Sequence, residues 1–285
     1  MRAGEYAERL SALAAKREPF AVATVTKTEG STLAKVGFKI VISKDGEVVG
    51  GTLGGGCPEG PIVEVAHRAM LNDIPRLVRV HLVDAAGAIE GMLSGPSEDE
   101  IYVETNCGGT LEVFVEPMLP TERLILVGQG GKDDVEEALI SFGKALGLEL
   151  VVVDPLPVLT EKPDVVMQTE VIDPIAMALG SRDSVVVLTK GERDVAVLAA
   201  LSKAKPRFVG LLASRSRLRK DLAELRERGV SEDFLTALHA PVDLDIGAKT
   251  PAELAISILA DVVATKYGKD VPHKPLEEHE RVVTR

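Results

Sequence analysis

The sequence predicts an α/β protein with two domains: an N-terminal α+β domain with a mixed sheet, and a C-terminal Rossmann-like domain with a doubly wound parallel sheet. The chain has 285 residues, which exceeds the usual size of one domain. Strands in the first part alternate apolar and polar residues, whereas later strands are continuous apolar runs separated by helical stretches. Two prolines in "EPMLPTE" mark the boundary, so the predicted domains are 1–118 and 122–268, followed by a charged tail, 269–285.

Charge, hydropathy and cysteine count exclude several classes of protein. The net charge of −11 leaves no overall basic footprint for nucleic acid, and no apolar run approaches the roughly eighteen residues of a membrane span. Charged residues interrupt the predicted N-terminal helix, which therefore does not match a signal peptide, and we expect a cytoplasmic protein. Two cysteines cannot form a disulfide framework, and the histidine spacing does not match a structural zinc site.

The elements of the N-terminal domain are predicted from its apolar pattern. A first strand, 19–28, precedes a hairpin around the turn Asp45-Gly46. Apolar residues at helical spacing, with Pro61 near the first turn, predict a helix over 61–71. The segment 84–99 is predicted as a loop, and three further strands are predicted at 77–83, 100–105 and 111–117.

Both cysteines lie in glycine-rich connections. Gly54, Gly55 and Gly56 precede Cys57, and Cys107 precedes a further pair of glycines. Glycine permits positive φ and close backbone approach, and its bare N–H groups can hold an anionic ligand and favour a neighbouring thiolate. Two tight turns with incidental buried cysteines are the alternative interpretation.

The C-terminal domain opens with a strand–turn–helix–strand pattern that ends at Asp154. Gly128 and Gly130 match the first two glycines of the dinucleotide-binding fingerprint, but Asp133 stands in place of the third. Asp133 and Asp134 are predicted in the first helical turn, where acids suit the helix dipole but compete with a pyrophosphate. Asp154 either binds a ribose or only ends its strand.

The rest of this domain alternates strands and helices. Ser214 and Arg215 follow a strand at the carboxyl edge, where ligands bind in open sheets, so they either contact a phosphate or pterin or begin a helix. Thr250 and Glu253 form a capping box that starts the final helix, which runs to Gly268. The other predicted strands are 164–168, 184–189 and 207–213, and the other predicted helices are 193–204 and 217–228.

Together these motifs resemble the XdhC/CoxI family, the accessory proteins of molybdenum hydroxylases. The resemblance covers about residues 20–268. It rests on "GS" at 30–31, "GGGC" at 54–57 with Glu59, "CGG" at 107–109 with "EP" at 116–117, "GxG" at 128–130, and "VGLLASR" at 209–215. The most specific block is "PVDLDIGAKTPAELAISILAD" at 241–261.

The resemblance implies a chaperone for the molybdenum cofactor (molybdopterin), which assists its sulfuration and its insertion into an enzyme of the xanthine dehydrogenase or carbon monoxide dehydrogenase type. On this basis Cys57 is the candidate molybdenum contact, Cys107 is a second thiol, and Glu59 either meets a pterin amine or is a surface acid. The backbone of Gly54, Gly55 and Gly56 would face the phosphate or oxo groups. The candidates for a nucleotide such as NAD(P), or for a further cofactor contact, are Gly128, Gly130, Asp154, Ser214 and Arg215.

The implied partners are a molybdenum hydroxylase apoenzyme, a cysteine desulfurase and a second copy of the chain in a homodimer. A binding and transfer protein needs no turnover chemistry, so no catalytic residue is assigned. Two other hypotheses remain. The first is an NAD(P)-dependent oxidoreductase, against which the altered fingerprint argues. The second is a redox or nucleotide sensor in which Cys57 and Cys107 form a reversible disulfide.

The chain departs from the family pattern at three places. Leu33-Ala34 replace a Pro-Arg pair, so Lys35 or Lys39 would have to supply the positive charge. In the second domain Gly131 replaces a histidine, and Thr189-Lys190 replace a Thr-His pair. These replacements lie where a nucleotide or cofactor would be expected to bind.

Overall fold

A computed structural model describes residues 3–93, 95, 97, 99–106 and 108–271. The chain divides into two compact units, 1–120 and 121–285, with the division inside the predicted boundary segment. The predicted tail lies outside the described residues from position 272 onward, and so does Cys107. Each unit has its own sheet and its own core, and each is described by itself.

The N-terminal domain is a six-stranded mixed sheet with the strand order β3-β2-β1-β6-β4-β5. Only β4 and β5 run parallel to each other, and the remaining neighbours are antiparallel. The mixed sheet predicted from the sequence is confirmed. Its strands are β1 (Phe20–Glu29), β2 (Lys39–Ser43), β3 (Val48–Gly51), β4 (Arg76–Val83), β5 (Glu100–Glu104) and β6 (Gly109–Met118), and its helices are α1 (Ala3–Ala15), α2 (Gly56–Asn72) and α3 (Ala85–Leu93).

Alternation along the strands sends apolar side chains to opposite faces of this sheet, because successive side chains point to opposite sides of a strand. Ala21, Ala23 and Val25 face the main core, where they meet the buried side of α2. Phe20 and Val22 face the other side and pack with residues of α1. One strand therefore serves two apolar layers.

Two predictions for this domain were wrong. The helix α2 begins at Gly56, five residues before the predicted start, so Cys57 lies in its first turn instead of a loop. Pro58 is compatible with that turn, whose N–H groups have no helical partner, but Pro61 lies inside the helix. The predicted loop after β4 contains α3, whose start is supported by the Asp84 carboxylate accepting from the N–H of Gly87 at 2.9 Å.

The C-terminal domain is a five-stranded sheet in which every neighbouring pair is parallel, with the order β11-β10-β7-β8-β9. The predicted parallel sheet is confirmed. Its strands are β7 (Arg123–Val127), β8 (Glu149–Val153), β9 (Val165–Met167), β10 (Asp183–Val187) and β11 (Phe208–Leu211), and its helices are α4 (Asp134–Ala145), α5 (Asp194–Leu201), α6 (Arg215–Glu227), α7 (Glu232–Ala237) and α8 (Pro251–Lys266).

Helices cover both faces of this sheet, as the doubly wound prediction requires. Leu124 and Leu126 contribute to the core that contains α4 and α8, whereas Ile125 and Val127 contribute to the core that contains α5, α6 and α7. At the amino edge the buried Arg123 guanidinium donates two hydrogen bonds to Asp183, each 2.8 Å long, and so joins β7 to β10. The chain reverses its winding direction between these two strands, so the crevice at their carboxyl ends is the expected ligand position of such a sheet.

Candidate functional site

Three glycine-containing connections lie together at one edge of the N-terminal sheet. A Cβ atom added to Gly109 would lie 2.5 Å from the carbonyl oxygen of Glu29, and one added to Gly54 would lie 2.6 Å from the Cα of Ala34. Real Cβ atoms essentially never make contacts this short, so these backbone approaches require glycine. The connection between β1 and β2 therefore contacts the segment that leads into α2 through Ala34, and the start of β6 through Gly30, which lies against Gly109.

Cys57 lies at this edge with its side chain exposed and its thiol free. The hydroxyl of Thr105, which follows β5, lies 3.7 Å from the Cys57 sulfur. Thr105 is two positions before Cys107 in the sequence, so the "CGG" connection begins beside Cys57. Cys107 itself lies outside the described residues.

The amino end of α2 offers backbone donors to a ligand. Its N-cap is Gly55, which has no side chain to accept from the first N–H groups of the helix. Gly54 and Gly55 have φ values of 101° and 139°, in the region that favours glycine, whereas Gly56 is helical. The N–H of Gly54 donates to the Thr52 hydroxyl at 3.1 Å. The donors left for an anion are therefore those of Gly55, Gly56 and Cys57, at the positive end of a helix dipole.

Glu59 fastens the glycine-rich segment to α2. Its Oε1 accepts from the hydroxyl of Thr52 and from the N–H of Leu53, each at 3.0 Å. One carboxylate oxygen is thus used for local structure, and the half-buried side chain holds the turn before Cys57 in place. The same carboxylate has its other oxygen to offer a ligand.

The residues that replace the expected Pro-Arg pair do not bring a cation toward α2. Ala34 is buried beneath Gly54, and Leu33 is exposed. Of the two candidate substitutes, Lys39 donates to the hydroxyl of Thr24 at 2.9 Å, while Lys35 is exposed in the connection. Positions 33 and 34 therefore supply no positive charge beside Gly54, and Lys39 is engaged with Thr24.

In the C-terminal domain, Asp154 holds the glycine-rich turn from within. Its carboxylate is 1% exposed and accepts from the N–H groups of Gly130 and Leu156, each at 2.7 Å. A Cβ atom added to Gly128 would lie 2.1 Å from Oδ2 of Asp154 and 2.9 Å from Oε1 of Glu136. Glycine at position 128 thus leaves space for the carboxyl groups of Asp154 and Glu136. The Asp154 carboxylate points into the glycine-rich turn.

A second carboxylate occupies the amino end of α4. Asp133 is its N-cap, one position before the first turn where it was predicted, and accepts from the N–H groups of Val135 and Glu136. Asp133 also lies 3.0 Å from the ammonium group of Lys190, so the residue that departs from the dinucleotide fingerprint forms an ion pair with one that departs from the family pattern. The Asp133 carboxylate therefore occupies the position at the helix end where a pyrophosphate would bind.

Glu136 adds a third carboxyl group, which was not predicted from the sequence. It is 1% exposed, and its Oε1 has no hydrogen-bond partner among the described residues. Burial and the neighbouring Asp154 carboxylate raise the pKa of Glu136 to about 8. The sequence signal was its place three positions after the N-cap Asp133, but its burial depends on the packing of the whole domain.

Taken together, these residues do not fit a dinucleotide. The N–H groups that would bind its phosphates are already paired with Asp133 and Asp154, and further negative charge there would be repelled. Arg193, which was also missed, faces the turn, but its guanidinium donates to the carbonyl oxygens of Gly128 and Glu170. Gly128 and Glu170 lie 65 and 23 positions from Arg193 in the sequence, so no local sequence pattern predicts these contacts.

Ser214 and Arg215 begin α6. The Ser214 hydroxyl accepts from the N–H of Arg217 as an N-cap, and Arg215 is the first helical residue. The guanidinium that turns inward is that of Arg217, which lies 3.0 Å from the fully buried carboxylate of Asp194 and donates to the carbonyl of Leu212. Ser214 therefore has a structural role in the described conformation.

Two classes of feature are absent from the described ranges. No group of three or more His, Cys, Asp or Glu side chains there could hold a metal ion. Likewise, no helix within them is long and apolar enough to cross a membrane.

Comparisons with known proteins match the two parts of the chain separately. A family model described as the XdhC Rossmann domain matches residues 124–262, and one described as the XdhC and CoxI family matches residues 13–81. A solved structure, described as a xanthine dehydrogenase from Bacillus halodurans, is 22% identical with a TM-score of 0.43, and the match covers 92% of this chain and 96% of that one.

Three curated proteins are similar in sequence. An uncharacterized Escherichia coli K12 protein, YqeB, is 32% identical over 87% of this chain and 44% of its own length. The molybdenum cofactor insertion chaperone PaoD of the same strain is 27% identical over 59% and 47%, respectively. A probable xanthine dehydrogenase subunit of Bacillus subtilis strain 168 is 26% identical over 55% and 47%. The chain spans about half the length of these relatives.

The contact between Gly54 and Ala34 predicts the effect of Gly54→Ala. The added methyl group would collide with backbone atoms at a positive φ, so we expect a loss of about 2 kcal/mol in the free energy of unfolding of the N-terminal domain, measured in urea. The matched control is Gly56→Ala, because a Cβ there has nothing within 4 Å and φ is helical. Equal losses in both variants would contradict the assigned contact.

The raised pKa of Glu136 predicts a pH dependence of stability. Between the ordinary value of 4.5 and about 8, the folded chain keeps a proton that the unfolded chain has lost, so stability falls as pH rises through this window. Glu136→Gln should remove this contribution. Between pH 5 and pH 8, its free energy of unfolding should therefore rise relative to that of wild type by on the order of 3 kcal/mol.

Urea unfolding at pH 5, 6.5 and 8 measures this difference. The pKa of Asp221 is also raised, to about 6, mainly by burial and Asp194, so the comparison must be made between variants and not within wild type alone. Asp134→Asn, which changes an exposed carboxylate in the same helical turn, should leave the pH slope unchanged. A Glu136→Gln slope identical to wild type would show that Glu136 ionises normally.

Proposed function

This chain belongs to the XdhC and CoxI family, and on that basis we propose that it binds the pterin-based molybdenum cofactor as cargo and delivers it to a molybdenum hydroxylase apoenzyme. Protection of the cargo and assistance in its sulfuration are parts of the same proposal. One relative of this chain is named as a molybdenum cofactor insertion chaperone, which supports the assignment.

The observation that carries the proposal is the exposed Cys57 thiol at the uncapped amino end of α2. The cargo presents a soft metal centre and an anionic phosphate. Sulfur ligands suit the metal centre, and the N–H groups of Gly55, Gly56 and Cys57 suit a phosphate or an oxo group. Both kinds of donor lie within one turn of helix, so a single small ligand could meet them together.

The other residues of this edge position these donors. Glu59 and Thr52 hold the turn before α2, and Gly54 allows it to pack on Ala34. The Thr105 hydroxyl, at the start of the next connection, donates to the Cys57 sulfur. We propose Cys107, at the end of that connection, as a second thiol of the same site, and a cysteine desulfurase and a second copy of the chain as further partners.

The oxidoreductase hypothesis has less support. Asp133, Glu136 and Asp154 fill the turn where a dinucleotide would bind, and the charges of Asp133 and Asp154 oppose its phosphates. The proposed function therefore assigns no nucleotide to the C-terminal domain.

The test is the molybdenum and pterin content of protein purified from a host that makes molybdopterin. We expect wild type to retain the pterin in near-stoichiometric amount, and Cys57→Ala to retain at least about tenfold less, because it lacks the sulfur that contacts the metal. Cys57→Ser should behave like Cys57→Ala, because an alcohol is a poor ligand for a soft metal.

His67→Ala is the control, since His67 lies on the exposed side of the same helix. Circular dichroism should show that all variants are folded. Equal pterin content in wild type and Cys57→Ala would refute the role of Cys57. Folded wild type without pterin would refute the cargo itself.

A further inference from the structure

At the amino edge of the parallel sheet, three cations surround one carboxylate. Arg207 donates to Oε1 of Glu122 at 2.8 Å, and Lys266 donates to Oε2 at 2.8 Å. The guanidinium of Arg182 lies 3.7 Å from the same Glu122 carboxylate. These residues come from the start of β7, the approaches to β10 and β11, and the end of α8, so the fold, and not a local sequence motif, brings them together.

Charge is not balanced within this cluster. Burial alone would raise the pKa of Glu122, but hydrogen bonds from Lys266 and Arg207 outweigh it and hold the pKa below its ordinary value. Glu122 is therefore ionised at neutral pH and supplies one negative charge to two hydrogen-bonded cations. The adjacent Arg123 is neutralised by Asp183, so it leaves the excess unchanged. Among the residues that line the adjoining cavity, cations therefore outnumber carboxylates, in a chain whose net charge is −11.

The cluster lines a cavity of about 180 Å³, which is large enough for a small ion and several water molecules. Its lining also includes Leu146, Val263 and Tyr267, whose side chains are substantially exposed, so the cavity is open to solvent on an apolar side. Lys266 lies over the Tyr267 ring, with its ammonium nitrogen 5.5 Å from the centroid. Charged donors on one wall and an apolar rim on another are the ordinary features of a small-molecule pocket.

We propose that this cavity binds an oxyanion, either free phosphate or the phosphoryl group of a monoester, with Arg207 and Lys266 as its principal donors. The planar guanidinium of an arginine matches phosphate oxygens, and an ammonium group adds a point charge. Glu122 is the internal acceptor with which the ligand competes. The apolar rim accommodates the organic part of a monoester. The site is independent of Cys57 and of the proposed cargo.

Thermal unfolding in phosphate, compared with chloride at equal ionic strength, tests the proposal. Because a ligand of the folded state raises its stability, phosphate at ten times its Kd should raise the Tm by roughly 3–6 °C. Phenyl phosphate distinguishes the two sources of the anion. Tighter binding than inorganic phosphate would assign the site to a monoester, and equal or weaker binding would assign it to the free ion. The absence of a shift with either probe would overturn the proposal.

Substitutions identify the site. Glu122→Gln removes the internal competitor, so phosphate should bind this variant several-fold more tightly and restore much of any stability lost. Lys266→Gln removes a donor and should weaken binding several-fold. Lys203→Gln changes an exposed lysine elsewhere in the domain and should bind as wild type does. Two outcomes would show that Glu122 and its cations form only a structural ion pair. In the first, phosphate does not raise the Tm of Glu122→Gln; in the second, it raises the Tm of Lys266→Gln by as much as that of wild type.

Discussion

The geometry around Cys57 depends on backbone segments that approach one another more closely than any side chain allows. Gly54 packs on the backbone of Ala34, and Gly109 packs on the carbonyl of Glu29. The first contact is made to the connection between β1 and β2, and the second to the last residue of β1, directly before that connection. These approaches bring the uncapped end of α2 and the start of β6 to one edge of the sheet, where the Thr105 hydroxyl meets the exposed thiol.

The two edges of the parallel sheet differ in the groups that they present to an anion. At the carboxyl edge, Asp133 and Asp154 bind the N–H groups that an anionic cofactor would use in this type of sheet. At the amino edge, Glu122 is outnumbered by the cations around it. The usual position for a phosphate is thus filled by the chain's own acids, whereas at the opposite edge three cations lie around a single carboxylate. Fold class alone would have predicted the reverse.

Much of the fold was visible in the sequence because its signals are local. Continuous apolar runs such as "RLILV" and "SVVVL" predicted buried parallel strands, and Thr250 with Glu253 predicted the start of α8, where the structure has a complete capping box. The errors have an equally local cause. Glycines and prolines around Cys57 and in α3 were interpreted as loop, but packing on the sheet stabilises both segments as helix.

The candidate site was predictable only in part. Cys57, its glycines and Gly128 stand out in the sequence, because few residues suit a close approach of backbone to backbone or to a ligand. Other contacts join residues that are between 24 and 144 positions apart. They are the hydrogen bonds of Asp154 with Gly130, of Arg193 with Gly128, and of Glu122 with Lys266. Only the register of the strands and the packing of helices determine such contacts.

Pro61 gives the beginning of α2 a mechanical property. In a regular helix the N–H of residue 61 would bond to the carbonyl of Cys57, but proline has no N–H, so this bond is missing. The turn that contains Cys57 is consequently joined to the rest of α2 by fewer hydrogen bonds, while Ile62 and Val65 anchor the remainder in the core. Less free energy is needed to open this first turn than to unfold the helix. A first turn that opens without the rest of the helix would suit the release step of the delivery proposed above.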